Sequence, residues 1–218
     1  MVLPGSGPSK KQQNIIIKNS SFFAKMTNRV VIINAFEPAD FFISQLSKEY
    51  ERTLKERNIV PEILFANTMN FSFTPFPEQY TFHTLEYDLQ KCVSAIKNAS
   101  TVAFFTSSRK DKPMPIFRQL VSRLFHLKSG MVNHDIWGNV SAYSKVLRII
   151  TVLDDPEIWK EFHNSKNRSV VPMPKISFGL FGFGQVFSRT FGYLKEGDEL
   201  NSYARKSLKA MRDMAEKD

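Results

Sequence analysis

The stretch Thr101–Phe125, TVAFFTSSRKDKPMPIFRQLVSRLF, holds the transition on which the fold turns. Val102 to Thr106 is a short apolar run suited to a strand buried on both faces. Ser107 to Lys112 is polar and basic and reads as a loop. Beyond Pro113 and Pro115, apolar residues recur at Ile116, Leu120, Leu124 and Leu127, the spacing of one helix face. Strand, hydrophilic connection and amphipathic helix in that order make half of a β-α-β unit. The connection at the carboxyl end of a parallel strand is where such proteins hold ligands.

Upstream, the same alternation recurs. Arg29–Ala35, RVVIINA, is a β-branched run expected to be a first strand. Asp40 can cap a helix whose apolar positions are Phe42, Ile43, Leu46, Tyr50 and Leu54. Val60 to Ala66 reads as a second strand, weakened at its start by Pro61. A long aromatic loop from Asn67 to Phe82 follows, then a helix capped at Thr84 with Leu85, Leu89, Cys92, Val93 and Ile96 on one face.

Downstream, residues 129–144 form an irregular excursion containing Trp137, and Lys145 to Val152 is a fourth strand. A fifth strand is expected from Val186 to Tyr193 and a final helix from Asp198 to Glu216. Alternating strands and helices require a parallel sheet sandwiched between helices. The expected architecture is a three-layer α/β sandwich with five parallel strands in the order 2-1-3-4-5. Its switch point lies between the first and third strands, which sets Asn34–Asp40 beside Thr106–Pro115.

A chain of 218 residues suits one generous domain, and 20 Phe among 42% hydrophobic residues supply its core. The formal charge of +9 points to anionic partners. Five of those cations, Lys10, Lys11, Lys18, Lys25 and Arg29, fall within an acid-free start. Residues 1–28 therefore read as a flexible basic extension and residues 29–218 as the domain. Lys18 and Lys25 interrupt the apolar residues of the extension, so it is neither a secretory signal nor a membrane span.

Cys92 is the single cysteine, which excludes an intramolecular disulfide or a cysteine metal cluster and fits a reducing, cytoplasmic setting. His83, His126, His134 and His163 lack close metal-ligand spacing. No Walker-type loop is evident, and no Ser-His-Asp arrangement. Gly182 and Gly184 offer two glycines of a dinucleotide fingerprint, but they precede a strand where the fingerprint follows one. Without a recognised binding module, nucleic acid is not the expected partner.

Two segments carry a resemblance. AFFTSS followed by Met114-Pro115, Phe117-Arg118 and Ser122-Arg123, together with GLFGFGQVFSRTFGYL from Gly179 to Leu194, is similar to the flavodoxin-like NAD(P)H-dependent FMN oxidoreductase and quinone reductase family. The resemblance implies FMN as cofactor, NAD(P)H as reductant, a quinone or other small acceptor, and a homodimer with the 67–82 loop as one contact. It also implies a cofactor site in three parts. Asn34, Phe36, Asp40 and Phe41 would lie near the phosphate. Thr106, Ser107, Ser108, Arg109, Met114 and Pro115 would lie along the ring, and Val152, Leu153 and Asp154 at its opposite edge.

The chain departs from the family where charge matters. Its first loop, NAFEPADFF, replaces a Gly/Ser/Thr-rich turn, and Glu37 and Asp40 repel a phosphate. Asp154 and Asp155 add negative charge after the fourth strand, whereas Arg109, Lys110 and Lys112 oppose it from the third-strand loop. Two readings follow: an FMN oxidoreductase, or a flavodoxin-like scaffold without flavin that binds or regulates a partner.

Overall fold

The computed structural model describes residues 29–72, 86–109, 112–113, 115–128, 145–157, 159–160, 183–192, 194 and 201–218; at 109, 112–113 and 125–128 the description is of the backbone. The elements run β1 (Val30–Ala35), α1 (Phe41–Glu56), β2 (Glu62–Phe65), α2 (Tyr87–Asn98), β3 (Thr101–Arg109) and β4 (Lys112–Pro113). They continue with α3 (Pro115–Lys128), β5 (Lys145–Leu153), β6 (Phe183–Gly192) and α4 (Ser202–Ala215). A single 3-10 turn at Ala66–Thr68 follows β2.

The main sheet is parallel in the order β2-β1-β3-β5-β6, the 2-1-3-4-5 order expected once the short β4 is set aside. Register pairs Asn34 with Phe105 and Ala35 with Thr106, so the first and third strands are neighbours at the switch point.

Period-two alternation divides the strands between two apolar layers. Val31, Ile33, Val102, Phe104, Leu147 and Ile149 face α2 and α3, where Leu89, Cys92, Val93, Phe117 and Leu120 meet them. Val30, Ile32, Ala103, Phe105, Ile150 and Val152 face α1 and α4, against Phe42, Leu46, Tyr50, Ala204 and Met211. Both faces of the central strands are therefore covered, which is why they read as continuous apolar runs. Each fully buried aromatic ring, such as Phe104, Phe105 and Phe117, contributes on the order of 2–3 kcal/mol of burial.

Four expectations are corrected. The segment from Ser107 onward is not a loop: β3 extends to Arg109, and Lys112–Pro113 returns antiparallel, pairing Ser108 with Pro113 and Arg109 with Lys112. The polar side chains sit in a strand because its end is still hydrogen-bonded to β4 and β5. Asp40 stands at the N-cap of α1 but makes no side-chain cap, since its carboxylate is engaged elsewhere.

The last helix begins at Ser202, where the Asn201 side chain accepts from the Ala204 amide at 2.7 Å, four residues later than expected. β6 likewise begins earlier than expected, at Phe183. Thr84, Leu85, Tyr193, Trp137 and the end of the aromatic loop lie outside the described residues. So does the extension at 1–28. Among the described residues no helix is long and apolar enough to cross a membrane.

Candidate functional site

β1 must turn into α1 at the carboxyl edge of the sheet, beside the end of β3, and the polar residues of both strands gather there. Asn34 is buried at the end of β1, where its side-chain oxygen accepts from the Ser47 hydroxyl at 2.8 Å. Ser47 lies on the buried face of α1, in its second turn. That bond fixes the amide of Asn34 and ties strand to helix. Ser47 was not singled out in the sequence; a hydroxyl between Leu46 and Tyr50 on an apolar face was the available signal.

The loop that follows is shaped by its own carboxylate. The Asp40 amide donates to the Glu37 carbonyl at 2.9 Å, while Asp40 Oδ2 receives the Glu37 amide at 3.3 Å and the Ser107 hydroxyl at 2.6 Å. The last contact crosses from the first loop to β3 and draws both walls of the switch point together. Because the carboxylate turns toward Ser107, the first-turn amides of α1 are left without a side-chain cap.

β3 carries three hydroxyls in succession, and each has a different fate. Thr106 donates to the carbonyl of Ser107 at 3.2 Å, and Ser107 donates to Asp40. The Ser108 hydroxyl is fully buried and has no hydrogen-bond partner among the described residues. The Ser108 carbonyl accepts the Asp154 amide at 3.0 Å, which brings the residues after β5 to the same edge. There Asp155 receives the Glu157 amide on its side chain at 2.8 Å and the Trp159 amide on its carbonyl at 3.0 Å, winding a helical turn.

That turn delivers Trp159 against Gly192, the last residue of β6. A Cβ at Gly192 would stand 2.4 Å from the indole, so only glycine permits this approach. The Gly192 amide donates to the Tyr203 hydroxyl at 2.6 Å, and the rings of Trp159, Tyr203, Phe42 and Phe191 form a chain of contacts between 6.0 and 6.4 Å. Trp159, Tyr203 and Gly192 escaped the sequence reading, because their proximity depends on the β5–β6 register.

Of the sequence-derived site residues, Asn34, Asp40, Ser107, Ser108 and Asp154 converge at this edge. Phe36 and Val152 belong to the apolar layer on the α1 side, and Leu153 is buried beside Ser108 in the register. Phe41 is half-buried at the first position of α1, and Pro115 is exposed at the first position of α3. Arg109 ends β3 in backbone only, and Met114 lies outside the described residues. A groove of about 560 Å³ lies at the opposite, amino edge, lined by Arg29, Ile59, Val60, Glu62, Asn98 and Ala99 among others; none of the switch-point residues reaches it.

Cys92 is no nucleophile: complete burial, with the nearby Glu62 charge, pushes its thiol up to about 12. Among the described residues no group of three His, Cys, Asp or Glu side chains could hold a metal. The arrangement offers hydroxyls, amides and a fixed carboxamide around a carboxylate. Groups of that kind can hydrogen-bond and orient a polar ligand.

No protein-family model and no curated protein matches the chain in sequence. Solved structures do match it in shape. An NAD(P)H:quinone oxidoreductase from Methanothermobacter marburgensis superposes with a TM-score of 0.60 at 15% identity, covering 87% of this chain and 96% of the other. An FMN-dependent NADH-azoreductase from Bacillus anthracis, in complex with FMN, gives 0.58 at 10% identity over 88% and 99%. The Trp repressor binding protein from Bacillus subtilis gives 0.57 at 13% over 85% and 99%. At these identities the likeness establishes the fold, which is flavodoxin-like.

Proposed function

We propose that the chain is an FMN-dependent oxidoreductase that passes reducing equivalents from NAD(P)H to a quinone or another small acceptor. The observation that carries this reading is the diversion of Asp40. Its carboxylate is held by Ser107 and the Glu37 amide, so the amides opening α1 stand at the switch point without a side-chain cap. Uncapped amides at the positive end of a 16-residue helix suit a phosphomonoester. The descriptions of the structural neighbours as a quinone oxidoreductase and an FMN-dependent azoreductase support the same ligand class.

The donor set fits such a group. Ser108 brings a buried hydroxyl that a ligand would satisfy, and Asn34 is locked in place by Ser47. The charge of Asp40 opposes a phosphate, and the hydrogen bonds it accepts from Glu37 and Ser107 offset part of that repulsion. When bound, the flavin supplies the hydride and electron chemistry. The chain's own residues bind and orient: amides of α1 at the phosphate, Ser107 and Ser108 along β3, the Asp154 turn at the far wall. Phe36, Val152 and Leu153 keep water from beneath the site.

Absorbance and fluorescence titration of the purified full chain with FMN tests the reading. Saturable binding is expected, followed by NAD(P)H oxidation in the presence of a quinone. Asp40→Ser should tighten FMN, since it removes the opposing carboxylate. Arg109→Ala should weaken FMN by about 1–3 kcal/mol if its guanidinium serves the bound anion. A colourless chain with no saturable binding at high micromolar FMN favours the second reading, a flavin-free scaffold that binds or regulates a partner. The Ser107–Asp40 bond, which satisfies both groups internally, is the observation on that side.

A further inference from the structure

The two edges of the sheet are unlike. β2 closes one edge with four residues, whereas β6, the outer strand on the other side among the described residues, runs for ten. Its middle is open toward solvent: Gln185, Phe187, Ser188 and Arg189 are exposed, while Val186, packed against the α2–α3 layer, and Thr190 are half-buried. Phe187 leaves 47% of its surface open.

Native sheets guard such edges with short strands, prolines, lysines or bulges. β6 contains neither Pro nor Lys, and its register irregularity sits at the beginning, opposite Lys145 and Val146. From Gln185 to Gly192 the strand is regular. Its one cation does not stand guard, because the Arg189 guanidinium lies 5.4 Å from the ring of Phe191 on its own strand.

An antiparallel pairing of this edge with a second copy, centred on Phe187, would be self-complementary. Counting outward by two residues, FGQVFSRTF meets Gln185 on one side and Arg189 on the other. We infer that β6 is a two-fold interface, at which the edge strands of two copies of this chain pair antiparallel about Phe187. In that register Phe187 lies opposite the partner's Phe187, and Gln185 opposite the partner's Arg189. Val186 lies opposite the partner's Ser188.

The carboxamide oxygen of Gln185 can accept from the partner's Arg189, and the two-fold axis repeats the bond. Opposed aromatic rings and a complementary polar pair are the contacts that stabilise antiparallel pairing. Each Phe187 is already backed by Arg148, whose guanidinium is 5.3 Å from its ring, so the aromatic pair would be held on both sides. The pairing would satisfy the outward backbone groups of both strands and continue one sheet through two molecules. It does not depend on the flavin reading, and a flavin-free chain would show it equally.

Sedimentation of the full chain over a wide concentration range tests the interface. Wild-type protein should dimerise. Gln185→Arg places like charges opposite each other twice and should raise the dimer dissociation constant by about tenfold. Gln185→Arg combined with Arg189→Glu restores opposite charges in the same register and should return the constant to the wild-type range or below. Both positions are exposed, so circular dichroism should be unchanged. A wild-type monomer at every concentration would overturn the inference, as would a dimer indifferent to Gln185→Arg or one that the charge swap fails to rescue.

Discussion

Asp218, the last residue of the sequence, has its side chain buried between Arg148 of β5 and Tyr50 of α1. Arg148 Nε donates to Asp218 at 2.6 Å, a second guanidinium nitrogen pairs with the same carboxylate, and the Tyr50 hydroxyl donates to it as well. Burial, with the Asp218 charge beside it, drives the Tyr50 phenol well above its ordinary range, so it remains a donor. Burial works against the charge of Arg148, and its bonds to Asp218 outweigh that and hold it on. Such a triad costs desolvation to assemble but far more to break. Arg148→Met alone should cost about 3–5 kcal/mol by removing the guanidinium that pairs with the buried Asp218 carboxylate. Arg148→Met with Asp218→Leu should recover most of that loss, and urea denaturation of the two variants measures the difference.

Helix ends supply the counterpart at the scale of elements. α1 stops in a Schellman arrangement: Asn58 takes φ 61°, its amide donates to Lys55 at 2.9 Å, and Ile59 donates to Leu54 at 2.9 Å. α2 is finished from outside, by Lys145 at the start of β5, whose ammonium donates to the Ile96 carbonyl at 2.7 Å and also to that of Lys97. Burial, with the charge of Lys97 nearby, brings the Lys145 amine down to about 8 from an ordinary value of 10.5. Between those two values the folded chain has released a proton that the unfolded chain still holds. Stability contributed by this group should therefore rise with pH across that window, by about 1–3 kcal/mol. Lys145→Met removes the rise while losing the two carbonyl contacts, and urea midpoints at pH 7.5 and 10 would show both effects.

For the molecule as a whole, the sheet holds two apolar layers apart, and the chain enters it at Arg29. The Arg29 carbonyl accepts the amides of Ser100 and Thr101 at 2.8 and 3.2 Å, which secures the start of β1 against β3. Among the described residues, both apolar layers are built from positions beyond that point. Removing residues 1–28 should accordingly leave the urea midpoint and FMN titration unchanged while lowering the net positive charge. A large loss in either measurement would show that those residues contribute to the domain.

By itself the sequence determined the layers and their order. A buried parallel strand must be apolar on both faces and a covering helix on one, so RVVIINA, VAFFT and KVLRIITV were legible from periodicity alone. It also located the switch point, since a 2-1-3-4-5 order admits one. What it misplaced was polar. The run from Ser107 to Lys112 read as loop because it is polar and charged, yet backbone pairing to β4 and β5 carries the strand on to Arg109. Asp40 read as a helix cap because local chemistry favours it there, yet a serine 67 residues away offered a better donor. Trp159 on Gly192, Lys145 on α2 and Asp218 on Arg148 were likewise decided only in the tertiary structure. Local sequence fixes which face of an element is dry; which distant polar groups meet depends on register and helix packing, and these exist only once the sheet has formed.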